Sequence, residues 1–584
     1  MHNVIRDSAL ALLSSDLEGY QVLTRYYLRP SVVPRSKRDE VQSVKEGGAP
    51  STLVDRPDGP NVLSPNIRKY LTRAGAQLKE PPTLEEWAQA EIIFLMDNAV
   101  TSLPSKPSCP DLQALFLQGN SCLRVIPASF FDGMCALRIL NFSKTRIKSL
   151  PDSFSKIKNL EVLALRDCER LLMLPSSIGH LKALQVLDLE GTELTDLPAS
   201  VGELASLKHL RVSFYGSVNH SKCRDLPTKL IPDKTISVLD LRELGLFVHP
   251  GDQRWTSCAS HIVEEISNLR LSSLYFHFPE VDHLEHFLNM NQSWINGDLA
   301  MFNFIVGHDF KHVISQVSYD AEMTHSGEER CMRFVNGENI PYAVLEVLLR
   351  TTSFYLDHHL NICFLSEFGI ERMHFLKVCI LRDCPKLLAI VDNDCATVVL
   401  PFLEYLSINY LWNLQRIWVN RLEMGSFKKL RHLSLHACPR LRYVFTCSML
   451  DILSNLEELI IKDCASMEYI VIEDDHESNK LLDTPHVSRT SSMARVPVLQ
   501  SLKVLKLHYL PELSAIWKDH WPPLEYISVY NCPKLKNLNL LANDALKIKE
   551  IAAEKIWWDS LDWEDLILSR RLQELVTQIN IDDL

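Results

Sequence analysis

The chain has 584 residues, too many for one compact core, so it must be either several domains or an elongated repeat array. With 46% apolar residues and only 19 glycines, the composition excludes a disordered, collagen-like or low-complexity protein over most of its length. A net charge of -12 provides no large positive field, which argues against nucleic acid as a main partner and makes another protein the default one.

Taken in chain order, the first apolar run is Ala9 to Leu13, flanked by Asp7 and Asp16. It lacks the basic start and the length of a signal peptide. No later stretch reaches the ~18 apolar residues of a membrane span. These features predict a cytoplasmic protein, with the nucleus also open to it. Residues 29–66, with Gly47-Gly48 and Pro57-Asp58-Gly59-Pro60, read as a flexible linker. Residues 67–88 read as an N-terminal cap.

From residue 89 an LxxLxL pattern recurs every ~22 to 27 residues. Within a regular block, 89–222, it is Leu112/Leu115/Leu117, Leu137/Leu140/Phe142, Leu160/Leu163/Leu165, Leu184/Leu187/Leu189 and Leu207/Leu210/Val212. A looser block, 223–350, carries weak copies near Ile236, Leu271 and Leu299, and is expected to hold irregular coils. The second block, 351–541, has Leu376/Cys379/Leu381, Leu403/Leu406/Ile408, Leu430/Leu433/Leu435, Leu456/Leu459/Ile461, Leu502/Leu505/Leu507 and Leu524/Ile527/Val529. It is interrupted by a polar loop at 473–495. Residues 542–584, with Trp557, Trp558 and Trp563, read as a C-terminal cap. With weak copies near Ala90 and Thr351, roughly sixteen coils are expected.

Alternation explains why such a pattern folds. In a short strand Leu163 and Leu165 point to one face, while Val162, Ala164 and Arg166 point to the other. One coil cannot bury its own leucines, but stacked coils form a parallel sheet over a shared core. The predicted fold class is therefore α/β, a leucine-rich-repeat solenoid with a curved parallel sheet on its concave face. Three residues past each core triplet stands a turn residue, Asn98, Asn120, Thr145, Cys168, Thr192, Cys384, Cys438, Cys464 or Cys532, expected to bond the backbone of the next coil. In the coils with Leu411 and Leu510 at that position, the dipeptides Ile417-Trp418 and Ile516-Trp517 follow. The cysteines lack CxxC pairs, and several recur at one repeat position, so they read as reduced, buried, structural thiols with no metal site.

Several segments resemble plant intracellular immune receptors of the nucleotide-binding, leucine-rich-repeat class (NLR). Met1-His2-Asn3-Val4-Ile5-Arg6-Asp7 looks like the MHD motif, Leu95-Met96-Asp97-Asn98 like their first repeat, and Cys384-Pro385, Cys438-Pro439 and Cys532-Pro533 like their late repeats. The connectors Leu174-Pro175-Ser176-Ser177-Ile178-Gly179 and Leu197-Pro198-Ala199-Ser200-Val201-Gly202 are similar to the intracellular repeat type. The resemblance implies that residues 1–28 are a helical remnant of the winged-helix and MHD region, and that His2 is a remnant of the nucleotide-sensing motif. There is no GxxxxGK[ST] phosphate loop, so no cofactor is expected in this chain, with ADP or ATP only where an upstream nucleotide-binding (NB-ARC) domain exists. No catalytic motif is found either, and no enzyme is expected. A truncated receptor and a product acting beside a complete receptor both fit.

Candidate binding residues lie on the late coils. Directly after the core triplets come Arg382, Asn409, His436, Lys462, His508 and Tyr530, with Tyr410 and Tyr509 beside them; Tyr405, His432 and Tyr526 occupy the preceding outward position. Tyr and His offer apolar area with a polar tip at small entropic cost, which suits a protein interface. A basic strip of Lys428, Lys429, Arg431, Arg440 and Arg442 precedes acidic Glu457 and Glu458, either to attract an acidic partner or to be neutralised by the neighbouring coil. Asp282, His283, Glu285 and His286, and likewise Asp357, His358 and His359, lack zinc-site spacing and read as surface clusters. The expected function is a recognition and regulatory module of plant defence, binding a pathogen effector, a guarded host protein or an NLR core. An alternative is a substrate adaptor for ubiquitin ligation, which would need an F-box-like helical module that is not seen before the repeats.

Overall fold

The computed structural model describes residues 70–215, 226–248, 252–308, 330–391, 398–418, 422–473, 499–517 and 521–579. The readings on residues 1–28 with His2, on the linker 29–66 and on the loop beyond Glu473 fall outside the described residues. Two compact units result, one running to Leu171 and including His180–Thr192, the other comprising Leu172–Gly179 and the chain from Glu193 onward.

In the first unit, short strands Tyr70–Thr72, Ile92–Phe94, Ala114–Phe116, Ile139–Asn141, Val162–Ala164 and Val186–Leu189 pair in parallel, each with the next. The register aligns Leu71, Ile93, Leu115, Leu140, Leu163 and Leu187 in one row. Apart from Leu71, these side chains are fully buried. Each contributes on the order of 1.5–3 kcal/mol through burial that only a neighbouring coil can supply. Behind the row Trp87, Phe130, Phe131 and Phe154 form a chain of edge-on rings. Trp87 is placed by a helix, Leu84–Ala88, started by a Thr83/Glu86 capping box. The opposite face is also apolar here: Ile92, Phe94, Met96, Ala114, Phe116 and Ile139 form one cluster, with Phe94 stacked on Phe116.

The turn residues Asn98 and Asn120 bond backward rather than forward. Asn98 Nδ2 donates to Arg73 O and Leu95 O, and its Oδ1 accepts from Leu78 N. Asn120 Nδ2 donates to Leu95 O and Leu117 O, while its Oδ1 accepts from Val100 N. The expected bond to the next coil is thus a bond to the preceding one, because the chain has already turned away from its own strand and faces the coil it has just left. Cys168 follows the same geometry, its Sγ donating to Phe142 O at 3.3 Å.

The second unit carries the parallel strands His209–Phe214, Glu243–Val248, Ser273–Phe278, Met301–Val306, Arg330–Val335 and Ser353–Asp357. The ladder continues through Val378–Arg382, Tyr405–Asn409, His432–His436, Glu458–Lys462, Val504–His508, Tyr526–Tyr530, Glu550–Ala553 and Val576–Gln578. Where irregular coils were expected, strands persist and the connectors lengthen into α-helices, Gln253–Ser267, Val281–Met290 and Tyr342–Leu348. The leucine period fades there because aromatic and thioether side chains fill the core: Phe276, Phe278, Phe302, Phe304, Met332 and Phe334 are buried. Buried Glu265 ties two such coils together, its carboxylate accepting from Lys234 N at 2.6 Å, Ile236 N at 3.0 Å and Ser237 N at 2.9 Å.

The Ile-Trp dipeptides also have a physical role. Ile417 O accepts from Ile390 N and Trp418 bridges to Val391, giving the side away from the main sheet a short extended contact. Trp418 is then buried against Phe427, ring centroids 4.7 Å apart, and Trp517 against Trp521 at 5.7 Å. In other coils Phe445–Thr446 and Val471–Ile472 pair in the same way.

Candidate protein-recognition face

Strand register assembles the predicted side chains into two lateral rows. One row is Arg382, Asn409, His436, Lys462, His508 and Tyr530; the other is Tyr405, His432, Glu458, Val504 and Tyr526. Neighbours within a row stand a strand spacing apart, ~4.8 Å.

Exposure divides the set. Tyr526 is 43% exposed, and Tyr405, Tyr410, His432, His436, Lys462, Tyr509 and Tyr530 are half-buried. Arg382 (6% exposed), Asn409 (2%) and His508 (2%) are buried, contrary to the expectation of an exposed row. Each lies against a polar neighbour within the sheet. Arg382 Nε lies 3.7 Å from Asp357, Asn409 Nδ2 donates to Ser407 Oγ, and His508 Nε2 meets Ser528 Oγ at 2.8 Å. These three support the face instead of presenting themselves on it.

The half-buried members pair across coils. His432 Nδ1 lies 3.1 Å from Glu458 Oε2, and Lys506 Nζ lies 3.3 Å from Glu458 Oε1. The hydrogen bond from His432, aided by Lys506, holds the Glu458 carboxyl below its ordinary range. His436 Nε2 meets Asp463 at 3.0 Å and carries the Tyr410 ring at 4.9 Å. Tyr509 and Tyr530 pack edge to face at 5.2 Å. Burial pushes the Tyr405 phenol up and, with Lys506 nearby, the Lys462 ammonium down.

The backbone adds a second observation. Two residues after the last core position, each of many coils enters the left-handed region, where Gly119, Gly191, Asp97, Asp167, Asp383, Asp463 and Asn531 stand. Small or locally bonding residues tolerate that conformation. Tyr410 and Tyr509 occupy the same position at φ 56° and 57°. Both aromatics are therefore held at a backbone cost of order 1 kcal/mol or more.

Burial, followed by Lys462 and Lys506, depresses the His508 imidazole to about 4 from an ordinary 6.5. The unfolded chain then binds more protons than the folded one between those values. His508 stabilises the fold fully above pH 6.5, and that contribution drains away as pH falls toward about 4. In urea titrations at pH 7, 5.5 and 4.5, His508→Gln is expected to flatten the acid loss of stability; the same slope in the variant would contradict the assignment.

The remaining candidates resolve into structure. Arg431 pairs with Glu457 at 2.7 Å and Arg442 with Glu468 at 2.9 Å, so two members of the basic strip are neutralised by the neighbouring coil, while Lys429 sits over the Phe402 ring. His283 meets Ser260, His358 meets Asp383, and His359 meets Asn339 O. No group of three or more potential ligands gathers among the described residues. Cys168, Cys384 and Cys532 are buried, and burial pushes their thiols to about 11, 12 and 12. Pattern reading missed Lys506 and Ser528, which stand at the middle outward position of their strands, where register alone would have found them.

One short parallel strand per coil, a shared aliphatic row and a repeated left-handed turn define this molecule as a leucine-rich-repeat solenoid. Residues 402–555 match the leucine-rich repeats of the "Plant disease resistance protein RPS2-like" family model, and residues 91–293 match a general leucine-rich repeat region. The chain is 29% identical to the Arabidopsis thaliana disease resistance protein At4g27190 over 81% of its own length and 46% of that protein's. It is 27% identical to the probable disease resistance protein At4g27220 of the same plant, over 82% and 50% of the two chains. It thus spans about half the length of these relatives, and its leucine-rich repeats are similar to those of plant disease resistance proteins. A solved leucine-rich-repeat protein of Leptospira interrogans, LIC12759, aligns with a TM-score of 0.38 at 20% identity, covering 69% of this chain and 91% of its own. No helix of the described residues is long and apolar enough to cross a membrane.

Proposed function

We propose that this chain is a protein-recognition module of plant defence, in which the Tyr and His rows of the late coils bind a pathogen effector or a guarded host protein, or restrain the nucleotide-binding core of an NLR. The observation that carries the reading is the placement of Tyr410 and Tyr509 in left-handed turns beside His436 and Tyr530. A fold-neutral choice there would be Gly, Asn or Asp; an aromatic residue kept at a backbone cost has a use outside the fold. Similarity to disease resistance proteins supports the defence setting. The reading is of a cytoplasmic protein without a bound cofactor.

Changing Tyr410, His436 and Tyr509 together to Ala tests it. Ala437 already adopts the left-handed turn, so the backbone tolerates Ala. Truncation of central aromatic contacts costs on the order of 2 kcal/mol or more, so partner recovery in co-immunoprecipitation from plant tissue should fall by roughly thirtyfold. Unaltered recovery of the same partners by the variant, with a wild-type circular dichroism melt, would refute the reading.

A further inference from the structure

Each late coil turns away from its strand in the same manner. The residue three positions past Arg382, Asn409, His436, Lys462, His508 or Tyr530 begins that turn. In all but one of these coils it is Pro or Ala, namely Pro385, Pro439, Ala465, Pro511 and Pro533. A fixed φ or a small side chain is all the turn requires. Trp412 is the exception. It is 54% exposed, whereas every other tryptophan of the chain is buried or half-buried. An indole mainly in water leaves much of its large apolar area unburied, so the fold gains little from it. Only buried Leu411 separates it from Tyr410, so one turn carries two aromatic rings that the coil itself does not need.

The coils keep their register past this turn: Asn413 Nδ2 donates to Pro385 O at 2.6 Å, and Gln415 N to Leu388 O at 3.0 Å. Trp412 therefore stands between Pro385 and Pro439, with Lys386 and Arg440 one residue further on in the coils to either side. Both cations are exposed. Lys386 Nζ donates to the Asn361 amide oxygen at 2.9 Å, which leaves its charge uncompensated, and among the described residues no carboxylate is paired with Arg440. The neighbouring acids are already engaged, Asp383 by His358, Asp463 by His436 and Glu468 by Arg442. An apolar ring bracketed by two uncompensated cations is complementary to an apolar side chain bracketed by two acids. Lys386 and Arg440 are two coil spacings apart, ~10 Å, which an extended chain covers in about three residues.

We infer that Trp412, Lys386 and Arg440 form an anchor, on the turn edge of the sheet, for an extended segment of the protein partner in which two Asp or Glu residues about three positions apart flank an apolar side chain. The inference rests on the recognition reading above and carries the binding surface from the strand face over its rim. The apolar side chain packs on the Trp412 indole while the carboxylates meet Lys386 and Arg440, so area supplies the affinity and charge sets the register.

Full-length chain and its intrinsic fluorescence provide the test, because the difference between wild type and Trp412→Ala isolates the one exposed indole. The probes are a terminally blocked, dye-labelled heptapeptide with Leu between two Glu residues three positions apart, its Gln/Gln analogue and its Lys/Lys analogue, with affinities read by anisotropy. The unlabelled Glu peptide should blue-shift Trp412 emission. Its labelled form should bind about fivefold more tightly than the Gln analogue, the scale of two exposed ion pairs, with that preference abolished in Lys386→Gln/Arg440→Gln and weakened by added salt. Trp412→Ala should lower Glu-peptide affinity about tenfold and leave the circular dichroism melt unchanged, since Ala465 holds the equivalent position. An unmoved Trp412 emission, equal binding of the Glu and Gln peptides, or a preference that survives Lys386→Gln/Arg440→Gln overturns the anchor, and stronger binding of the Lys peptide overturns its charge preference. In co-immunoprecipitation from plant tissue, partner capture lost in the Tyr410/His436/Tyr509 variant but kept in Trp412→Ala would defeat the anchor alone; capture kept in the triple variant would defeat the recognition reading itself.

Discussion

Leu163→Glu is expected to unfold the coil around it and to loosen both neighbours. Leu163 is fully buried, in the row between Leu140 and Leu187. A carboxylate placed there meets only aliphatic side chains, and an unpaired buried charge costs several kcal/mol even after it takes up a proton. Coils in a repeat array draw stability from the coils they touch, so the loss spreads laterally. Hydrogen exchange should show lost protection in Ile139–Asn141, Val162–Ala164 and Val186–Leu189. Wild-type exchange in those three strands would mean that Leu163 does not face a core. Leu163→Met, similar in volume and apolar, should cost less than about 1.5 kcal/mol.

Glu265→Ala is expected to be nearly as damaging, for a different reason. Three backbone amides, those of Lys234, Ile236 and Ser237, donate to this buried carboxylate. Removing it orphans all three, at about 1–3 kcal/mol each, so a total of about 3 kcal/mol or more is anticipated. Glu265→Gln retains an acceptor oxygen and should lose less. Urea unfolding followed by circular dichroism measures both; an Ala variant within about 1 kcal/mol of wild type would show that water or side chains replace the carboxylate.

The chain discloses its strand ladder wherever leucine fills the core, because one residue type at fixed spacing stands out against a mixed background. It conceals the ladder where other apolar residues take over. Arg330–Val335 buries Met332 and Phe334, and its sequence shows no leucine at all. Tyr70–Thr72, Glu550–Ala553 and Val576–Gln578 fall in the segments that read as caps, because these short strands carry no leucine triplet. The composition of the candidate face was legible, since outward positions follow from alternation. Its exposure was not: whether Arg382, Asn409 or His508 reaches solvent depends on Asp357, Ser407 and Ser528 in three dimensions. The left-handed placement of Tyr410 and Tyr509 was equally hidden, as nothing in a Tyr side chain announces that backbone.

That recurring turn separates two jobs that most folds combine. Asp, Asn, Gly, Ala, Lys and Tyr all occur in it at nearly one value of φ, as at Lys144 and Ala437. Its geometry is therefore imposed by the stacked backbone, and the side chain it carries is a free letter. Such a scaffold tolerates being rewritten at its contact positions one coil at a time, so binding preferences could be exchanged by swapping Tyr410 or Tyr509 for Asn or Gly while the framework gains, rather than loses, conformational ease.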